Sequence, residues 1–258
     1  MGKLPEPDRA QTLMFADLSR TELLIGKEAM SKLRSACVCV VGLGGVGSFA
    51  VEALARAGIG KLLLVDFDVV GPTNLNRQLI ALHPTIGFPK TQIMEERAKQ
   101  INPEIEVVTH QVFIDSENRA SILRDADIII DAIDSLGPKI GMLEDLARLE
   151  KTFISVMGAG NRLDPSKIQI ASLEKSHACP LARRVRKFLR RRGVKVNFPC
   201  VFTPEPPLIP DEDTDSPEEI IVPRGRQRKT IGSISYMPAI MGMMAASWVI
   251  KTVIDSEI

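Results

Sequence analysis

Short apolar runs alternate with amphipathic stretches along most of the chain. Residues 38–41, 62–65, 105–109, 128–133 and 153–156 are rich in Val, Leu, Ile and Phe, the pattern of short strands buried on both faces. Between them, 48–57, 90–101, 116–123 and 141–149 carry apolar residues at helical spacing. This alternation predicts an α/β fold, doubly wound, with a mainly parallel Rossmann-like sheet. Ahead of it, residues 17–33 form a short amphipathic helix with Leu23, Leu24, Met30 and Leu33 at helical spacing, and Ser19 or Thr21 is placed to cap it.

Beyond Gly158-Ala159-Gly160 the pattern changes. Residues 167–172 alternate like an antiparallel strand, 181–192 form a basic helix, and 233–254 form an apolar closing helix. The segment 204–223, with Pro206, Pro207, Pro210 and a run of acids, has little to bury and reads as a mobile loop; the basic stretch 225–229 follows it. The chain therefore divides into a helical arm (1–35), a nucleotide-binding core (36–160) and a C-terminal antiparallel and helical extension for substrate (161–258) containing the flexible 204–230 loop. Residues 234–250 are free of charge, but Pro238, Gly242 and Ser247 interrupt them and they fall short of the ~20 apolar residues of a membrane span. A packed helix fits better, and no membrane contact is expected.

Composition narrows the partners. With 33 basic and 32 acidic residues the net charge is +1, so nucleic-acid binding must come from local clustering. Aromatics make up only 4%, which disfavours base-stacking platforms. Cys37, Cys39, Cys179 and Cys200 contain no C-x-x-C pair, so neither structural zinc nor a disulfide framework is expected. Together with an N-terminus that matches no export signal, this suits the cytoplasm. His83, His110 and His177 show no metal or triad spacing.

The chemistry begins at Gly42-Leu43-Gly44-Gly45-Val46-Gly47, between a strand and a helix, where Gly42, Gly44, Gly45 and Gly47 allow a tight turn against a phosphate. Asp66, at the end of the next strand, is placed to accept the ribose hydroxyls. At this point a dinucleotide and ATP fit equally well. Asn74-Leu75-Asn76-Arg77-Gln78 and Lys90 favour ATP: a helix N-terminus supplies only about half a charge, whereas a triphosphate calls for cations. Arg77 offers a fork, Lys90 a point charge, and Asp134 a carboxylate for magnesium on the leaving pyrophosphate. Such charge-assisted contacts contribute roughly 1.5 to 3 kcal/mol each. Taken singly, each residue also fits a plain surface charge or cap.

Together, VVGLGGVGS, LVDFDVVGPTNLNRQ, GFPKTQ and DAIDS resemble the ATP-dependent adenylating family of ubiquitin-activating enzymes and their ThiF-type bacterial relatives. The resemblance implies that Asp66, Arg77, Lys90 and Asp134 bind ribose, phosphates and magnesium, with Asn74, Asn76 and Gln78 in the same loop. It also implies a homodimer in which Arg20, in LSRTELLIG, reaches the partner subunit's ATP. Within the family, SRTELLIG, PLARRVRKFLRRRG, CVFTPEPP and GSISYMPAIMGMMAASWVIK are most similar to the tRNA threonylcarbamoyladenosine dehydratase branch. Branch relatives that serve sulfur-carrier proteins usually hold two C-x-x-C pairs, absent in this sequence.

The basic helix supports that branch independently. Leu181, Val185, Phe188 and Leu189 share one face, while Arg183, Arg184, Arg186, Lys187, Arg190, Arg191 and Arg192 occupy the rest with no acid among them. This predicts a tRNA-backbone contact read through shape and charge. Cys200, in Pro199-Cys200-Val201-Phe202, is a catalytic-thiol candidate by family resemblance, though its apolar flanks fit a buried structural thiol equally well. Cys179 stands where the branch more often has Asp before Pro-Leu-Ala. The expected function is ATP-dependent cyclisation of N6-threonylcarbamoyladenosine in tRNA through adenylation of its carboxylate. A sulfur-transfer protein is a further candidate partner. Adenylation of a ubiquitin-like or sulfur-carrier protein C-terminus is the enzymatic rival; a non-catalytic tRNA-binding or scaffold protein and an NAD oxidoreductase are the others.

Overall fold

The computed structural model describes residues 18–208 and 231–256, so the stretch through Asp17 and most of the 204–230 loop lie outside the described residues. The five apolar runs form β1 (Cys37–Val41), β2 (Lys61–Val65), β3 (Glu106–His110), β4 (Ile128–Asp131) and β5 (Thr152–Val156). Helices α2 (Gly47–Ala57), α3 (Lys90–Ile101), α4 (Arg119–Ile122) and α5 (Leu136–Arg148) connect them. The extension adds β6 (Gln169–Ser172), α6 (Pro180–Arg191), β7 (Pro199–Phe202) and α7 (Tyr236–Asp255), and α1 (Ser19–Ser35) opens the described chain.

All seven strands lie in one sheet of order β3-β2-β1-β4-β5-β7-β6. Pairing is parallel except between β6 and β7. Side-chain alternation sorts the strands onto two cores. Val38, Val40, Leu62, Leu64, Ile130 and Ile154 pack with Met30, Leu54, Met94 and Met241 of α1, α2, α3 and α7. Cys39, Leu63, Ile129 and Phe153 pack with Leu143, Val185 and Leu189 of α5 and α6. Strand order reverses at β1, which lies between β2 and β4, and such a reversal opens a ligand crevice beyond the carboxyl ends of the strands.

Several boundaries differ from the sequence expectation. The entry helix is broken at Gly26 (φ 84°, ψ 167°), and Leu18, with no side-chain cap, occupies the position proposed for Ser19 or Thr21. Strand β4 stops at Asp131, although the Ala132 N–H still donates to the Val41 carbonyl at 2.9 Å. Helix α5 starts at Leu136, ahead of the expected Gly141; Pro138 sits in its first turn, where no amide is needed for the helix. Residues 199–202 form a strand parallel to β5, so part of the extension completes the main sheet.

Helix α7 is long and apolar enough to cross a membrane by length and composition. In the fold, Met237, Met241, Ala245, Val249 and Val253 are buried in the first core. Gly242 lets α7 approach α2 closely, since a Cβ there would lie 2.2 Å from the Val46 carbonyl oxygen.

Candidate functional site

A cavity of about 800 Å³ opens beyond the carboxyl ends of β1, β2, β4 and β5. The fold brings Gly42, Gly44, Gly45, Asp66, Asn74, Arg77, Gln78, Lys90 and Asp134 together in its wall. These come from the β1–α2 turn, the end of β2, the following loop, the start of α3 and the loop after β4. Residues far apart in sequence thus converge in space.

The glycines divide by task. Gly42 has φ +93°, and a Cβ there would stand 2.8 Å from the Ala132 carbonyl oxygen, so the turn passes tightly against the exit of β4. Gly44 faces open space, its nearest neighbour in that direction being Gln78 Nε2 at 3.8 Å, which leaves backbone exposed to a ligand. Gly47 does not line the cavity; a Cβ there would strike the Gly42 oxygen at 1.7 Å, so it serves closure of the turn.

Asp66 is buried, and its carboxylate accepts the Leu43 N–H at 2.6 Å and the Asp68 N–H at 2.9 Å. Burial pushes its carboxyl above the usual carboxylate range, against the opposing pull of Lys90 and the two backbone donors. Each carboxylate oxygen keeps a further lone pair for a ribose hydroxyl. Lys90, the first residue of α3, is almost completely buried, with Nζ 2.9 Å from Asp68 Oδ2. Arg77 Nη1 donates to the Thr73 carbonyl at 3.0 Å and to Asn76 Oδ1 at 3.1 Å.

The neighbouring amides have distinct roles. Asn74 Oδ1 accepts the Gly71 N–H at 3.0 Å and so shapes the loop from inside. Asn76 is not in the cavity wall; its Nδ2 donates to the Ser233 carbonyl and ties the loop to the segment before α7. Gln78 is buried in the wall, and its Oε1 has no hydrogen-bond partner among the described residues. Ser48 Oγ bonds both the Gly44 carbonyl and the Leu79 N–H, locking the glycine turn to this loop.

Asp134 lines the cavity just past β4, and its Oδ1 accepts from Ser135 Oγ at 3.1 Å. Among the described residues no group of three or more His, Cys, Asp or Glu converges on a metal position. A single carboxylate with phosphate oxygens suits magnesium, which usually takes one or two protein carboxylates.

Other expectations fall elsewhere. Arg20 lies exposed on α1 and is not part of this chain's cavity wall. The catalytic reading of Cys200 is corrected: the residue is fully buried within β7, and burial pushes its thiol up to about 12, so it is a core thiol and not a presented nucleophile. On α6, Ala182, Val185 and Leu189 are buried, whereas Phe188, assigned to the apolar face, is 37% exposed.

The basic residues of α6 also divide. Arg183, Arg184, Lys187, Arg190 and Arg191 are exposed. Arg186 turns inward and donates through Nη1 to the Ser176 hydroxyl and, at 2.7 Å, to the Ser176 carbonyl, which makes it a brace. Arg192, just past the helix, pairs with Glu144 of α5 at 2.6 Å. Hydrogen bonding from Arg192 leads the effects that hold the Glu144 carboxyl below its usual range. Arg184 alone of this set reaches the cavity wall, beside Pro180, Leu181 and Gly158. The sequence carried no signal for that placement.

A model of the ThiF family matches residues 18–257. The chain belongs to the ThiF family. This ThiF chain is 39% identical over 250 residues to a tRNA threonylcarbamoyladenosine dehydratase of Bacillus subtilis, covering 95% of this chain and 98% of that one. It is similar in structure to the tRNA N6-threonylcarbamoyladenosine dehydratase of E. coli in complex with AMP (TM-score 0.82, 33% identity), over 98% of this chain and 97% of the other. The same E. coli enzyme in complex with ATP matches with TM-score 0.82 and 32% identity, over 97% of each chain. The ThiF fold thus agrees with the mainly parallel Rossmann-like sheet read from the sequence.

Proposed function

We propose that this ThiF-family protein uses ATP to cyclise N6-threonylcarbamoyladenosine in tRNA by adenylating its carboxylate. The observation that carries the reading is one cavity lined both by the glycine turn, Lys90 and Arg77 and by Arg184 of the basic helix. A nucleotide and an RNA-borne nucleoside can meet there. Similarity to dehydratases whose structures hold AMP and ATP supports the same assignment.

The open backbone at Gly44 and the α2 N-terminus receive phosphate, Asp66 accepts the ribose hydroxyls, and the unpartnered Gln78 oxygen accepts a ligand N–H. Arg77 and Lys90 neutralise the triphosphate, and Asp134 would hold magnesium, which when bound screens charge on the leaving pyrophosphate. A carboxylate oxygen of the nucleoside bonds to the α-phosphorus as the bond to the β-phosphate oxygen breaks, releasing pyrophosphate. A nitrogen of the same side chain then attacks the activated acyl carbon, losing its proton, and AMP leaves carrying the carboxylate oxygen. Water is lost overall from the nucleoside. Positioning and charge neutralisation supply the first step, so it needs no protein nucleophile.

The remaining assignments follow from this reading. A homodimer places Arg20 at the partner subunit's ATP, and the exposed bases of α6 hold the tRNA backbone in the cytoplasm. Incubation with ATP, magnesium and tRNA bearing the modified adenosine tests the proposal. AMP release matched by loss of one water from the nucleoside is the expected result. Turnover on a carrier-protein tail with an unchanged nucleoside would overturn it.

A further inference from the structure

Below the cavity lies a buried charge cluster that the reaction as derived does not use. Lys139 of α5 and Asp131 at the end of β4 are both 0% exposed, with Nζ 2.7 Å from Oδ2. Lys139 has three ammonium protons, and three acceptors surround it: Asp131, the Ile133 carbonyl at 3.0 Å and the Val156 carbonyl at 2.9 Å. Asp131 is equally engaged, accepting Ser155 Oγ at 2.5 Å and the Ile133 N–H at 3.2 Å.

The placement of those carbonyls is informative. Ile133 immediately precedes Asp134, and Val156 is the last residue of β5; both line the cavity. One ammonium group thus joins the exits of two adjacent strands and fixes the peptide that leads into Asp134. Stability alone does not account for such a cluster, because well-packed apolar replacements of buried ion pairs are often as stable or more so. A buried polar network does impose one geometry on the backbone it holds.

We propose that Lys139 is a positioning residue that sets the Ile133–Asp134 peptide for catalysis, clamping it to Val156 with Asp131 and Ser155 as its counter-charge and orienting partner. The proposal rests on the adenylating reading of the site and assigns Lys139 no contact with ATP. Binding through the glycine turn, Asp66 and Lys90 is independent of it. Removing Lys139 should therefore lower kcat for AMP formation while sparing KM for ATP.

The test compares full-length wild type, Lys139→Gln, Lys139→Met and the apolar triple variant Asp131→Leu, Lys139→Met, Ser155→Ala. Melting temperature, ATP binding by calorimetry and steady-state AMP formation are read on each. The triple variant removes the buried charges together, so it separates folding from positioning. Expected are a kcat loss of about tenfold or more in the Met and triple variants, a smaller loss in Gln, and KM for ATP within about twofold of wild type. The triple variant should melt near wild type and still be slow. Any of these variants that melts like wild type and keeps its kcat overturns the positioning role. A wild-type protein that makes no AMP with modified tRNA fails the adenylating reading itself, a separate outcome visible before any variant is compared.

Discussion

Lys90 Nζ lies 2.9 Å from Asp68 Oδ2, and the lysine is buried while the aspartate side chain is 41% exposed. The pair holds the ammonium group at the wall of the cavity, with its counter-ion partly open to water. An incoming triphosphate can take over the lysine, and Asp68 can then be hydrated at little cost. Lys90→Ala should lower AMP formation by about a hundredfold or more, and Asp134→Ala similarly, with melting temperatures near wild type. Steady-state AMP release and thermal melting check both; wild-type rates in either variant would move the site elsewhere.

Arg20 contributes nothing to the cavity of its own chain. If it serves the partner subunit, then Arg20→Ala and Lys90→Ala proteins, each inactive alone, should complement each other when co-expressed. A random mixture gives half heterodimers with one intact site in each, or about a quarter of wild-type activity. Activity measured on the purified mixture checks this, and no recovery in confirmed heterodimers would mean that the sites are not shared.

The arginines of α6 should separate by environment. Arg190→Glu and Arg191→Glu should weaken tRNA binding and reduce the salt slope by about one for each phosphate no longer neutralised, leaving ATP affinity unchanged. Arg186→Ala removes the brace to Ser176 and should instead lower thermal stability. Filter binding across a salt series, beside thermal melts, distinguishes the two effects.

Glu52 on α2 gives a stability prediction. Its carboxylate, nearly buried, accepts Arg97 Nε at 2.6 Å and Arg56 Nη2 at 2.7 Å. Burial alone would raise its carboxyl, but hydrogen bonds and charge from Arg97 and Arg56 together hold it below the usual range. A folded value below the unfolded one means a contribution fully present above about pH 4.3 and lost as pH falls through the folded value. Glu52→Gln should cost about 1 to 3 kcal/mol at neutral pH, with the gap to wild type narrowing in acid. Denaturant melts at several pH values measure it.

Much of the fold was legible because β1, β2, β4 and β5 are short, nearly continuous apolar runs, and alternate residues serve the two cores of one sheet. Strand β7 was not, since its four residues begin with Pro199 and show no alternation of their own; pairing with β5 and β6 makes the strand. The nucleotide end of the site was legible because Gly44, Asp66 and Lys90 sit where βα units end and begin. Asp131 is the one acid inside the apolar run 128–133, but its partner Lys139 lies a helical turn into α5 and carried no local signal. Arg186 and Arg192 look alike in sequence to Arg190 and Arg191; only packing against Ser176 and Glu144 separates them.

The central claim is that the carboxylate of the tRNA nucleoside is activated on ATP in this cavity. Labelling that carboxylate with heavy oxygen and weighing the AMP released tests it most directly. The account predicts one labelled oxygen in AMP for each nucleoside that loses water. Water loss with unlabelled AMP, or label in pyrophosphate, would contradict it.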